Sequence, residues 1–202
     1  MKKTLTEFIG TFFLVMGAAL GGGPGAALAL MVMVYAGGHI SGGHYNPAVS
    51  LAVWIRGRMS IGDMIGYWMS QVAGALAAAL VVSFVFDISG PGLCVIGDND
   101  TIKALVAELL GTFALAYVVL NVATAKGTAG NSFYGLAIGG TVLAMAMAIG
   151  QFSGGAFNPA VAIGLSVQET FCWNQLWIYI VGALAGGLLA GLFFKMNNTD
   201  DK

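Results

Sequence analysis

The chain has 202 residues, 58% of them hydrophobic, with eight basic and nine acidic side chains and a formal net charge of −1. A soluble domain carries charge on about a quarter of its positions, whereas here the share is 8%, so an ordinary soluble fold is excluded, as is nucleic-acid binding by a basic surface. Its two histidines and two cysteines form no cluster with metal-ligand spacing and no nucleophile–base pair is present, so no cofactor, no metal and no enzymatic chemistry is expected.

Runs without charge at 8–55, 64–86, 109–125, 127–168 and 170–194 set the architecture. A bilayer-crossing helix takes about 20 residues, so the first run holds two spans and each of the others one, with apolar sequence left over in 8–55 and 127–168. The predicted spans are 4–21, 24–40, 63–86, 102–124, 132–150 and 173–194. The first resembles a secretory signal in layout, but Glu7 interrupts it. Moreover, Glu7-Phe8-Ile9-Gly10-Thr11-Phe12 returns as Glu108-Leu109-Leu110-Gly111-Thr112-Phe113, where no signal could stand. Between the first two spans, Gly21 to Gly25 leave almost no loop.

The repetition continues in order. Ser41-Gly42-Gly43-His44-Tyr45-Asn46-Pro47-Ala48-Val49 matches Ser153-Gly154-Gly155-Ala156-Phe157-Asn158-Pro159-Ala160-Val161, and Gly74-Ala75-Leu76-Ala77 matches Gly182-Ala183-Leu184-Ala185. The first repeat covers about 1–86 and the second about 102–194, with 87–101 as linker and 195–202 as tail. Each half has three spans, an odd number, so the second enters from the opposite side and the fold is an inverted repeat. Residues 46–55 and 158–167 are apolar but would rise only about 15 Å as helix, too little to cross. Asn caps a helix well and Pro suits its first turn, so both Asn-Pro-Ala elements read as starts of half-helices meeting near the bilayer centre. There, irregular backbone is tolerated only where it is buried or lines a cavity. Cys94 and Cys172 make no CxxC pair and read as two unpaired thiols. Met31, Met33, Met145 and Met147 have no His or Cys beside them and read as helix filling, and the Gly/Ala stripes of the third and sixth spans as packing within the bundle.

With its two symmetric Asn-Pro-Ala loops and the Glu-x-x-Gly-Thr-Phe pattern in the first and fourth spans, the chain resembles the aquaporin, or major intrinsic protein, family over nearly its whole length. The resemblance implies an all-α membrane protein of six transmembrane helices and two half-helices, a homotetramer with one pore per subunit, and passive conduction of water or small neutral solutes. Asn46, Pro47 and Ala48 with Asn158, Pro159 and Ala160 would form the pore centre, each asparagine capping its helix and donating amide N–H groups into the lumen. The positive ends of both half-helix dipoles, about half an elementary charge each, would repel cations and protons there.

One departure stands out. Where the family usually carries Arg after the second Asn-Pro-Ala, this chain has Val161, and the family's spacing puts the other outer-filter positions at Ala26, Ala146 and Gly155. All four are small or apolar, so a wide filter passing glycerol, urea or undissociated metalloid acids is expected, unless a loop side chain such as Phe152 or Phe157 refills it and restores strict water selectivity. Glu7 and Glu108 are read as acceptors for backbone N–H groups ahead of the half-helices, in preference to a proton-relay pair, and His39 and His44 as supports near the inner mouth. An ion-coupled secondary transporter would need charged groups at the midplane, where uncharged asparagines stand. The positive-inside rule puts Lys2, Lys3, Arg56, Arg58, Lys126, Lys195 and Lys202 in the cytoplasm with both termini and leaves only Lys103 outside. A plasma or inner membrane location is expected.

Overall fold

A computed structural model of the chain describes residues 1–94 and 98–201; linker positions 95–97, the side chains of 98 and 99, and Lys202, counted above among the cytoplasmic cations, lie outside the described residues. The chain is all-helical. Helix α1 is Lys2–Ser41, α2 Pro47–Arg56, α3 Ile61–Leu80 with a π-helical extension Val81–Val85, α4 Asp98–Ala123, α5 Tyr134–Ile149, α6 Pro159–Val167 and α7 Leu176–Asn197.

The 40 residues of α1 would rise about 60 Å as one rod, twice the hydrocarbon thickness of about 30 Å. The helix instead breaks at Gly22, with φ 57° and ψ −149°, and Pro24 follows. That φ belongs to the left-handed region that favours glycine. Its two arms fold back on each other, so closely that a Cβ on Gly17 would lie 2.7 Å from the Gly25 carbonyl oxygen. Thus α1 is two spans, and with α3, α4, α5 and α7 the described chain makes six crossings.

Helix α1 packs on α3 and α5, and α4 on α5 and α7. The half-helices cross over: α2 lies against α7 and α6 against α3, so each is seated on the last span of the other half. Small residues make this possible. Gly74 lies on the α1 backbone at Phe8, Gly186 on α4 at Leu109, and Gly187 on α2 at Ala48, so these stripes are used inside the bundle.

The expectation of two free thiols is corrected. Cys94 and Cys172 form a disulfide, their Cα atoms 5.3 Å apart across a sequence separation of 78. Local pairing brings them together: the Gly90, Gly92 and Leu93 N–H groups donate to the Gln168, Glu169 and Thr170 carbonyls at 2.8, 3.1 and 2.6 Å. A spacing rule in the sequence has no access to that pairing.

At the opposite end Arg56 closes α2. Its side chain, 1% exposed, donates to Thr124 Oγ1 at 2.8 Å and to Asp201 Oδ1 at 2.9 Å, and lies 4.7 Å from the centre of the Phe194 ring. Asp201 Oδ2 also accepts the Lys126 N–H at 2.7 Å. That backbone bond, and after it Arg56, holds the Asp201 carboxyl below the usual carboxylate range.

Candidate functional site

The two half-helices begin as their sequences dictate. Asn46 and Asn158 sit in extended backbone with Pro next, and their Oδ1 atoms accept the N–H groups of Ala48 at 2.8 Å and Ala160 at 2.9 Å. Because Oδ1 is committed to backbone donors, each Nδ2 must donate elsewhere. Asn46 Nδ2 donates to the Phe157 carbonyl and Asn158 Nδ2 to the Tyr45 carbonyl, both at 2.9 Å. The expectation of wholly free amide N–H groups is therefore corrected: one N–H of each amide is spent on the opposite half, and one remains.

Tyr45, to which the sequence assigned no role, and Phe157, named there only as a side chain that could refill the outer filter, organise this centre. Both have φ of 49°, unusual for a bulky side chain. The conformation costs of order 1–3 kcal/mol and turns the N–H and C=O of each residue in the directions needed. Tyr45 N–H donates to Glu7 Oε2 at 2.6 Å and Phe157 N–H to Glu108 Oε2 at 2.7 Å, while their carbonyls receive the asparagine amides. Both carboxylates are wholly buried. Glu7 also accepts from Ser41 Oγ at 2.6 Å, His44 N–H at 3.0 Å and Gln71 Nε2 at 2.8 Å. Glu108 also accepts from Ser153 Oγ at 2.7 Å and Ala156 N–H at 3.0 Å. Every carboxyl oxygen thus accepts at least one hydrogen bond from an oriented protein donor, which offsets the cost of burying these polar groups.

A cavity of about 230 Å³ runs outward from this centre, its walls apolar through Leu14, Leu30, Leu115, Val119 and Ile138, with Asn46 and Asn158 among its lining groups. Among the described residues no Asp, Glu, Lys or Arg lines it. Toward the other end lies a polar vestibule of about 750 Å³, lined by Lys3, His39, Arg58, Asp63 and Lys126. His44 lines both spaces and so stands at their junction. It is 7% exposed, with Nδ1 3.0 Å from Ser50 Oγ.

Of the outer positions named from the sequence, Ala26, Gly155 and Val161 line the cavity. Ala146 is not among the lining residues; it sits against Gly23, which is one, and Val142, one turn earlier on α5, also lines the cavity. A count back from Asn158 fixes separation along the chain, but the face of α5 depends on where the helix gives way to the 3-10 turn Gly150–Phe152. Neither named phenylalanine enters: Phe157 is buried against Gly111, and Phe152, 43% exposed, lines a cleft on the outer surface. Pro91, Leu93, Thr170 and Phe171 reach the outer end, and no local motif marked them.

The model of the family described as Major intrinsic protein matches residues 23–194. A protein of Lactiplantibacillus plantarum described as "Glycerol uptake facilitator protein-like 6" is 35% identical, with all of both chains covered. "Aquaporin NIP1-2" of Arabidopsis thaliana is 32% identical over all of this chain and 76% of its own length. Among solved structures, the X-ray structure of the aquaglyceroporin from Plasmodium falciparum superposes with a TM-score of 0.73 at 18% identity, covering 96% of this chain and 94% of that one, which establishes a common fold. Six crossings, two half-helices capped by asparagine and a sequence matched over most of its length lead to one conclusion: the chain belongs to the major intrinsic protein family of membrane channels.

Proposed function

We propose that the chain is a passive channel for water and small neutral solutes, among them glycerol, urea and undissociated metalloid acids, with an outer filter that lacks the family's usual Arg. One observation carries this reading: the cavity meeting Asn46 and Asn158 has an apolar wall, no charged lining residue among the described residues, and only Ala26, Gly155 and Val161 at three of the four filter positions. An apolar wall gives water few competing partners, while the remaining amide N–H of each asparagine orients a passing oxygen. The half-helix N-termini at the same place oppose cations and protons. The description of the bacterial relative as facilitator-like for glycerol supports that solute.

The basic residues Lys3, Arg58 and Lys126 gather on one vestibule, and the disulfide lies at the opposite end. The positive-inside rule and the oxidising conditions that favour disulfides both support a cytoplasmic basic end, and the proposed working assembly is a homotetramer in the cell membrane. The deciding measurement is stopped-flow light scattering on proteoliposomes. Fast shrinkage in sucrose followed by glycerol-driven reswelling above that of empty liposomes is expected, and Val161→Arg should slow reswelling more than shrinkage. Shrinkage without reswelling would reduce the function to water alone.

A further inference from the structure

With small residues at Ala26, Gly155 and Val161, the outer end of the cavity takes its bulk from elsewhere, and the lining there comes from two segments distant in sequence. Segment 88–94 runs parallel to 168–172, with Leu93 and Phe171 bridged. Four hydrogen bonds hold the pair: Gln168 Nε2 donates to the Ile88 carbonyl at 3.1 Å, and the N–H groups of Gly90, Gly92 and Leu93 supply the others. The second segment is itself tied to α6, through the Thr170 N–H on the Leu165 carbonyl at 2.7 Å.

Of the side chains that reach the outer end, Phe171 and Leu93 are held very differently. Phe171 is 3% exposed, stacks on Tyr179 with ring centres 4.5 Å apart, and rests on Gly154, whose φ of 90° and lack of Cβ leave room for the ring. Leu93 is 47% exposed and lines both the cavity and the outer surface cleft beside Lys103 and Phe152, so it stands at the boundary between pore and exterior. Immediately after it, Cys94 is bonded to Cys172, the residue after Phe171. Exposed backbone hydrogen bonds are individually weak against water; the covalent link keeps this strap across the opening.

We propose that the disulfide-held strap 88–94 forms the narrow outer part of the pore, with Leu93 against Phe171 setting the largest solute admitted in place of the absent arginine. This rests on reading the cavity as a neutral-solute channel. Neither Leu93 nor Phe171 offers a hydrogen bond, and the Thr170 hydroxyl beside them donates to Gln168 Oε1, so the pair should discriminate among polyols by size and leave ionic exclusion to the centre.

The test uses proteoliposomes of the full chain as wild type, Leu93→Ala, and Cys94→Ser with Cys172→Ser, each assayed for water, glycerol and the four-carbon polyol erythritol. A several-fold rise in the erythritol-to-water permeability ratio is expected for both variants, and for the wild type after treatment with a membrane-impermeant phosphine reductant. Leu93→Ala keeps the disulfide and trims a half-exposed side chain, so it reports even if the double serine chain folds poorly. An unchanged ratio in Leu93→Ala overturns the strap while leaving the channel reading intact. Wild-type vesicles that pass water but no glycerol, with glycerol admitted by Leu93→Ala, would uphold the strap and remove glycerol from the natural solutes. Wild-type vesicles that pass neither would overturn both.

Discussion

The two halves share a backbone plan and differ in the side chains hung on it. Around Glu7, Gln71 joins the donors and also reaches Ser50 Oγ at 3.1 Å, and Ser50 in turn meets His44. A polar chain therefore leads from the buried carboxylate to the junction of the two cavities. In the second half Ala156 stands for His44, Ala162 for Ser50 and Tyr179 for Gln71, and no such chain forms. Thr11 Oγ1 donates to the Glu7 carbonyl at 2.7 Å, whereas Thr112 Oγ1 finds no partner among the described residues. What is duplicated makes the crossing point; what is not gives the pore a direction, polar toward the Arg56 end and apolar toward the disulfide.

That asymmetry can be broken by substitution. The largest effect belongs to the carboxylates. Glu7→Leu orphans four donors and Glu108→Leu three, each costing about 1–3 kcal/mol when buried. Both should lower the apparent melting temperature in detergent, Glu7→Leu more; equal shifts would mean that Gln71 contributes nothing. Next come Asn46→Ala and Asn158→Ala, each removing one cap and one cross-bond for about 2 kcal/mol. Because the cross-bonds are both 2.9 Å, their losses in water permeability should match, and a marked inequality would show that the centre is less symmetric than its geometry.

Smaller again are Tyr67→Phe and Tyr179→Phe. Each deletes one bond, to the Ser41 carbonyl at 2.6 Å or the Ser153 carbonyl at 2.7 Å, for about 1 kcal/mol, and equal shifts in melting temperature are expected. Smallest is the effect of acid on the inner end. The Asp201 carboxyl is held below its usual range, chiefly by the Lys126 N–H and then by Arg56, so its contribution is complete at neutral pH and is lost only as pH falls through that depressed value. Asp201→Asn should reproduce the loss at neutral pH, read as faster amide exchange in residues 124–131, with the outer strap unaffected.

Much of the fold was legible because insertion in a bilayer writes itself into composition. Spans appear as charge-free runs, and half-helices as apolar segments too short to cross and opened by Asn-Pro. Their observed ranges, Pro47–Arg56 and Pro159–Val167, fall within a residue of the expected ones. The candidate site was legible where the repeat shows it, at Asn46, Asn158, Glu7 and Glu108. It was illegible where a contact joins segments without local pattern. The Cys94–Cys172 bridge and Leu93 beside Phe171 both depend on how loops lie across helix ends, and neither hydropathy nor motif spacing encodes that.

The positive-φ residues Tyr45 and Phe157 carry a consequence for assembly. Each presents its carbonyl to the asparagine of the other half, so after insertion of the first three spans the Tyr45 carbonyl and the Asn46 amide still await partners more than a hundred residues downstream. Neither half can finish its own loop. The centre of the molecule thus cannot reach its final geometry before the second repeat is in place, and a chain interrupted between the repeats stops with polar groups unmatched at the depth in the bilayer where water is scarcest.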